Sequence, residues 1–74
     1  MHIDLDEKLG RLLKDRRRSM ELTQADLALR SGLTSRYIRK VENGQASPTV
    51  NSLVKLAIAL EIKPAELMHL LMDA

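Results

Sequence analysis

The most informative stretch of the chain is residues 22–44, which read LTQADLALRSGLTSRYIRKVENG. Thr23 is a suitable N-cap for a short helix, and Asp26, three residues later, favours the positive end of that helix. Gly32 predicts the end of this helix, because glycine readily adopts the left-handed conformation that a tight turn requires. Thr34 then offers the N-cap of a second helix. The stretch therefore predicts two short helices joined by a turn of about three residues.

The second of these helices has two faces of opposite character. Ile38 and Val41 share one face, and polar or basic residues share the opposite one, since neighbours three and four positions apart line up on a helix. Burial of the apolar pair leaves the other face free for the major groove of DNA, as in a helix-turn-helix. Arg and Lys pair best with guanine, so we expect this face to read bases, although some of its members can contact phosphates instead. Its residues are Ser35, Arg36, Arg39 and Lys40.

Helical periodicity continues on both sides of this pair. Leucines recur every three or four positions from Leu5 to Leu13 and predict a first helix over residues 5–19. Thr49 is a suitable cap for a fourth helix, and Pro64 suits the first position of a fifth. The sequence therefore predicts five short helices and no strand.

The chain has 74 residues, which leaves room for one domain. We expect an all-α, compact five-helix domain over residues 1–74, with the helix-turn-helix at 23–43 and helices four and five at 49–72. A domain of this size buries only about 60% of the surface that its unfolded chain exposes, so its stability margin is small. A metal, disulfides or a partner subunit usually stabilises such a fold.

Residue composition excludes several classes of function. The chain contains no cysteine, and its two histidines, His2 and His69, are far apart in sequence, so we expect no disulfide, no metal and no cofactor. We see no nucleophile–base pair and no phosphate-binding loop, and therefore predict that the protein is not an enzyme. No apolar run approaches the ~20 residues that span a membrane, and the N-terminus lacks the apolar core of a signal peptide. We expect a cytoplasmic protein, bacterial or phage-encoded.

The net charge of +2 is unevenly distributed along the chain. Residues 1–42 hold ten Lys or Arg and seven acids, whereas residues 43–74 hold two Lys and three acids. Basic clusters occur at 16–18 and at 36–40. A basic surface on one part of a small domain is typical of nucleic-acid binding, although a solvated helix face can have the same pattern.

Several short motifs together carry a resemblance to a known family. They are LTQADLA at 22–28, SGLT at 31–34, YI at 37–38, VENG at 41–44, SPT at 47–49 and LVKLAIAL at 53–60. This series resembles the Cro/CI-type (XRE) helix-turn-helix repressors over roughly residues 6–70. The resemblance implies a lambda-repressor-like fold and a transcriptional regulator that binds double-stranded DNA. Among these relatives the chain is similar to small restriction–modification controller proteins, phage repressors and antitoxins.

The resemblance also implies a set of residues that contact DNA phosphates. Gln24 lies at the start of a helix, where exposed N–H groups favour a phosphate, and the family's glutamine at this place often supports a base-reading side chain. Tyr37 fits either a DNA contact or half-buried packing with its hydroxyl in water. The full expected set is Thr23, Gln24, Thr34, Tyr37, Asn43, Gln45, Ser47 and Arg17.

Arg17 has a second role in the resemblance, as the partner of Glu42 in a structural ion pair. Such a pair can also orient the arginine toward the DNA backbone. Removal of one partner would leave a desolvated charge, which costs about 3–5 kcal/mol when burial is complete.

The sequence departs from the family pattern at three turn positions. Relatives usually have glycine where this chain has Glu21 and Glu61, and Ser or Thr where it has Lys63. A non-glycine residue in a left-handed cap costs about 1 kcal/mol or slightly more. We expect these departures to affect local stability and not the DNA-reading face.

Apolar residues of helices four and five exceed what one small core can bury. A contiguous exposed apolar patch usually marks an interface. We expect a homodimer whose two recognition helices lie about 34 Å apart, on a pseudo-palindromic operator. The alternative is that the patch docks a different protein, as in an antitoxin. The patch consists of Val54, Ile58, Met68, Leu71 and Met72.

Overall fold

The computed structural model describes residues 4–73, which form five α-helices and no strand. His2 and the rest of the N-terminal segment 1–3 lie outside this range. The all-α, five-helix architecture is confirmed. The helices are α1 (Leu5–Ser19), α2 (Gln24–Ser31), α3 (Ser35–Glu42), α4 (Val50–Ala59) and α5 (Pro64–Met72).

Side-chain caps set the first residue of four helices. Asp4 accepts a hydrogen bond from the Glu7 backbone N–H at 3.1 Å, and Thr34 and Thr49 cap α3 and α4 in the same way. Thr23 and Asp26 cap each other's backbone N–H groups reciprocally at the start of α2. Lys63 makes no such bond before α5, where Pro at the first position lacks the N–H in any case.

All five helices contribute to one apolar core. Within this core, α2 packs against both α3 and α4, and α1 packs against both α3 and α5. Burial of this surface against the rest of the chain is the main term that stabilises the fold. The core residues are Leu9, Leu13, Leu27, Ile38, Val41, Leu56, Ala57, Ala59, Leu60 and Leu67.

Gly10 lets α1 cross the end of α3 at very short range. A Cβ atom at this position would lie 2.4 Å from the Val41 carbonyl oxygen and 2.6 Å from that of Glu42. Both neighbours are backbone atoms of a helix, so they cannot move aside cheaply. The crossing of α1 over α3 therefore requires glycine here, a requirement that the sequence pattern did not reveal.

Basic side chains from other helices cover the C-terminal ends of α4 and α5. Arg16 donates to the Leu60 carbonyl oxygen at 2.9 Å, and Arg30 donates to that of Ala59 at 3.4 Å. Lys8 donates to the carbonyl oxygens of Leu71, at 3.0 Å, and Asp73. Cations at helix C-termini satisfy unpaired carbonyls and complement the helix dipole. Three basic residues thus serve the fold.

Two turns contain glutamate where a left-handed conformation is needed. Glu21, after α1, has φ 58°, and Glu61, after α4, has φ 57°. These are the positions at which the family pattern has glycine. The side chain of Glu61 lies 3.7 Å from Arg30, so part of its strain can be offset by an ion pair.

We predict that Glu21→Gly raises the free energy of unfolding by about 0.5–1 kcal/mol. Relief of left-handed strain contributes about 1 kcal/mol or more, and the greater freedom of glycine in the unfolded chain removes part of that gain. The melting temperature should rise by a few degrees, measured by circular dichroism.

Gly32→Ala is the matched control, because Gly32 has φ 73° and open space around it, so alanine adds strain without a clash. Its melting temperature should fall. A Glu21→Gly variant with an unchanged or lower melting temperature would contradict the prediction.

Candidate nucleic-acid interface

The turn between α2 and α3 orients α3 so that its polar face points outward. Gly32 ends α2 with φ 73°, and α3 begins at Ser35 after the Thr34 cap. Ile38 and Val41 are each only 1% exposed. Because these two anchors face the core, the opposite side of α3 must face solvent.

The four expected base-reading residues lie on or beside this outer face. Arg36, Arg39 and Lys40 are exposed, and Ser35 is half-buried at the edge. The spacing of the three cations places them on one surface of about one helical turn. α3 therefore presents a basic surface opposite its apolar anchors.

A buried salt bridge holds the end of α3 against α1. Arg17 Nε lies 2.7 Å from Glu42 Oε2, and Arg17 Nη2 lies 3.0 Å from Glu42 Oε1. Both residues are 7% exposed. The geometry is bidentate, which is the strongest form of an arginine–carboxylate contact.

Two further hydrogen bonds tie α2 into the same network. Arg17 Nη1 donates to the Leu22 carbonyl oxygen at 2.8 Å, and Gln24 Nε2 donates to Glu42 Oε1 at 3.1 Å. One carboxylate thus links α1, α2 and α3. Glu42 orients the side-chain amide of Gln24 through the amide nitrogen. The side-chain oxygen of Gln24 then stays available for another contact.

The network keeps both charges in place. Burial raises the pKa of Glu42, but hydrogen bonds from Arg17 and Gln24 and the charges of Arg17 and Lys14 outweigh it, so the pKa is lowered. The hydrogen bond to Glu42 raises the pKa of Arg17 against the effect of burial. The phosphate contact expected of Arg17 stays a prediction, because Glu42 and Leu22 engage much of its guanidinium.

The other expected phosphate ligands lie at both ends of α3. Thr23 and Thr34 are exposed caps at the starts of α2 and α3. In the loop from α3 to α4, the expected ligands Asn43, Gln45 and Ser47 are all exposed. All five of these side chains are therefore accessible on the surface.

Tyr37 is half-buried and packs against the core. It also lines an open groove of about 410 Å³ beside the turn, together with Thr34, Thr49 and Ser52. The structure therefore shows the half-buried packing that was one of the two expectations for Tyr37. A DNA contact through its polar end is compatible with that packing and stays a prediction.

The basic half of the sequence is divided among different surfaces. The three arginines at 16–18 point in three directions, because successive residues on a helix are 100° apart. Arg16 covers the end of α4, Arg17 is buried with Glu42, and Arg18 is exposed. From the sequence alone we treated Arg16, Arg17 and Arg18 as one basic cluster. The helical period of 100° per residue already predicts that their side chains point in different directions.

The expected dimer patch is only partly covered by the chain. Ile58 is 66% exposed, Met68 46% and Met72 80%, whereas Val54 and Leu71 are half-buried. Val50, four residues before Val54, is 79% exposed and extends the patch along α4. The result is an apolar surface on α4 and α5.

Two other kinds of feature are not found in residues 4–73. No helix there is long and apolar enough to cross a membrane. No group of three His, Cys, Asp or Glu side chains in the same range is arranged to hold a metal ion.

We predict that Glu42 makes stability depend on pH. A carboxylate with a lowered folded pKa contributes stability above its ordinary pKa of 4.5, and this is lost as pH falls through the folded value. Between about pH 5 and pH 3, wild type should therefore lose more unfolding free energy than Glu42→Gln. Urea denaturation across this range measures the difference.

Glu66→Gln is the control, since Glu66 is exposed on α5 and forms no ion pair with residues 4–73. This variant should follow the wild-type pH dependence. Parallel curves for wild type and Glu42→Gln would show that Glu42 contributes nothing to it.

Comparison with known proteins agrees with this geometry. The helix-turn-helix family model (HTH_3) matches residues 13–67. The chain is 34% identical over 56 residues to the ImmF control region 10 kDa protein of Bacillus phage phi105, covering 76% of this chain and 62% of that protein. It is 38% identical over 60 residues to the transcriptional repressor RstR of the Vibrio cholerae cryptic phage CTXphi, covering 81% and 54%.

A solved structure of similar size shows the same fold. The restriction–modification controller protein C.AhdI from Aeromonas hydrophila is 40% identical, with a TM-score of 0.80, and the match covers 84% of this chain and 94% of that one. The family match includes the turn, all of α3 and the Arg17–Glu42 pair. The chain therefore belongs to the helix-turn-helix (HTH_3) family of transcriptional regulators.

Proposed function

We propose that the protein binds a specific DNA sequence as a homodimer and thereby regulates transcription. One observation carries this proposal: α3 is held by two buried anchors so that Arg36, Arg39 and Lys40 form an exposed basic face. A helix presented in this way fits the major groove, where guanine offers two acceptors to Arg or Lys. We expect the protein to act by binding alone, without catalysis.

Phosphate contacts at both ends of α3 supply affinity and set its depth in the groove. Phosphate contacts position a protein on the duplex, and base contacts specify the sequence. Gln24 at the N-terminus of α2 and Asn43 beyond α3 are two of the proposed phosphate ligands. The other members of the proposed set are Thr23, Thr34, Tyr37, Gln45, Ser47 and Arg17. Affinity should therefore fall steeply as salt concentration rises.

The apolar surface on α4 and α5 is the proposed dimer interface. Large apolar side chains that stay exposed on a small domain usually mark an interaction surface. A two-fold contact through Ile58, Met68 and Met72 would place two copies of α3 about 34 Å apart, one turn of B-DNA. The operator should then be a pseudo-palindrome.

The relatives point to the biological setting. One is a phage repressor, and the C.AhdI structure is that of a restriction–modification controller protein. We propose that residues 1–74 act as one domain in the bacterial cytoplasm, as a repressor or activator of this kind. A restriction enzyme or methyltransferase gene beside this one would support the controller role, and a toxin gene would support an antitoxin.

Arg36→Ala should reduce discrimination between cognate and random DNA at least tenfold, because one good base contact contributes about 1–3 kcal/mol. The cognate duplex is first selected from a random DNA pool with the wild-type protein. Dissociation constants for selected and random duplexes then give the discrimination of each variant.

Lys63→Ala removes an exposed cation from the far end of α4 and should keep wild-type discrimination. If Arg36→Ala weakens both duplexes equally, Arg36 contacts phosphate only. If the wild-type protein enriches no sequence from the pool, sequence-specific binding is wrong.

Ile58→Glu should shift the protein from dimer to monomer at tens of micromolar, because it places a charge in the apolar interface. Sedimentation velocity measures the change. Leu29→Glu is the matched control, since Leu29 is 86% exposed on α2, outside the proposed interface. A wild-type protein that is monomeric under these conditions would favour docking of a different partner.

A further inference from the structure

An open groove lies between α1 and the C-terminal end of α3, beside the proposed base-reading face. Its volume is about 410 Å³, and basic side chains of α1 and Asn43 line it. The basic residues are Arg11, Lys14 and Arg18, which share one face of α1 because they lie three and four positions apart. None of them belongs to the set of DNA contacts derived above.

The close crossing at Gly10 creates this groove. Because the α1 backbone rests on the carbonyl groups of Val41 and Glu42, the neighbouring face of α1 flanks the end of α3. The charge of Lys14 also contributes to the lowered pKa of Glu42, in agreement with its position beside α3. Lys14 is half-buried, whereas Arg18 is exposed.

The balance of charges favours an anion in the groove. Among its carboxylates, Glu42 is neutralised by Arg17 at 2.7 Å, and Glu7 lies 3.4 Å from Arg11. Lys14 and Arg18 form no ion pair or hydrogen bond with another side chain of residues 4–73, and Asp15 is the remaining carboxylate of the groove. The groove therefore contains two cations without an ion-pair partner beside one remaining carboxylate.

We propose that this groove binds the DNA backbone outside the base pairs that α3 reads, with Lys14 and Arg18 as phosphate ligands and Arg11 as a further cation at the edge. The inference rests on the proposed function. A helix in a major groove about 12 Å wide has a row of phosphates on each side. The row that passes Asn43 continues toward the groove, so the protein covers more DNA than its recognition helix alone.

The experiment compares Lys14→Gln/Arg18→Gln with Lys55→Gln/Lys63→Gln, which removes the same charge from exposed positions on α4 and before α5. Binding to the selected operator is measured by fluorescence anisotropy between about 50 and 200 mM salt. Each lost phosphate contact lowers the slope of log K against log salt by about 0.9, so a dimer that loses four contacts should lose about 3.6. Discrimination against random DNA should stay at its wild-type value.

A series of duplexes with shortened flanks gives a second readout. Wild type and the α4–α5 control should lose affinity when base pairs outside the half-sites are removed, and Lys14→Gln/Arg18→Gln should not. Asp15→Asn should strengthen binding to long duplexes only. Lys14→Arg/Arg18→Lys keeps both charges and should behave as wild type, and melting curves verify that all variants fold.

Equal salt slopes and equal flank dependence for the two double variants would overturn the groove proposal while leaving the proposed function intact. A loss of discrimination in folded Lys14→Gln/Arg18→Gln would also overturn it, because the groove would then act on base reading. If the wild-type protein selects no DNA, the proposed function itself is wrong.

Discussion

The orientation of α3 depends on the buried salt bridge between Arg17 and Glu42. This bridge joins the end of α3 to α1, and through Leu22 and Gln24 it also holds the start of α2. A buried ion pair gains little net stability over an apolar pair, but separating its charges is very costly. The network therefore penalises every arrangement in which the three helices are displaced. A fixed orientation of α3 is required if a few of its side chains are to contact base edges.

Several of the basic residues have structural roles in the fold. Lys8, Arg16 and Arg30 cover the carbonyl ends of α4 and α5, and Arg17 is buried. Net charge and charge runs cannot distinguish these roles, because the role is set by what lies opposite each side chain. The basic surface that remains free is therefore smaller than the sequence indicates.

A small core and a large exposed apolar surface are two results of the same size limit. Five short helices can bury one layer of side chains, and the remaining faces of α4 and α5 stay open. Ile58 and Met72 are 66% and 80% exposed in the single chain. A second copy would supply the apolar surface that a chain of 74 residues lacks.

Local sequence patterns predict the helix boundaries, because caps and turns act between residues a few positions apart. Thr23, Thr34 and Thr49 begin helices where their side chains reach the third N–H, and Gly32 ends one by its left-handed conformation. Periodicity likewise identified Ile38 and Val41 as buried, and thus the outer face of α3. The family resemblance supplied the Arg17–Glu42 pair, which no local pattern contains.

How the helices meet is visible only in the folded chain. Gly10 is essential because a backbone 31 positions later lies within 2.4 Å of its missing Cβ atom. Arg16, Arg17 and Arg18 are adjacent in sequence, yet each meets a different environment. Tyr37 is partly buried because it packs against the core that the five helices form together. Contacts of this kind join residues far apart in the chain, so they follow from the relative placement of helices, which local propensity does not encode.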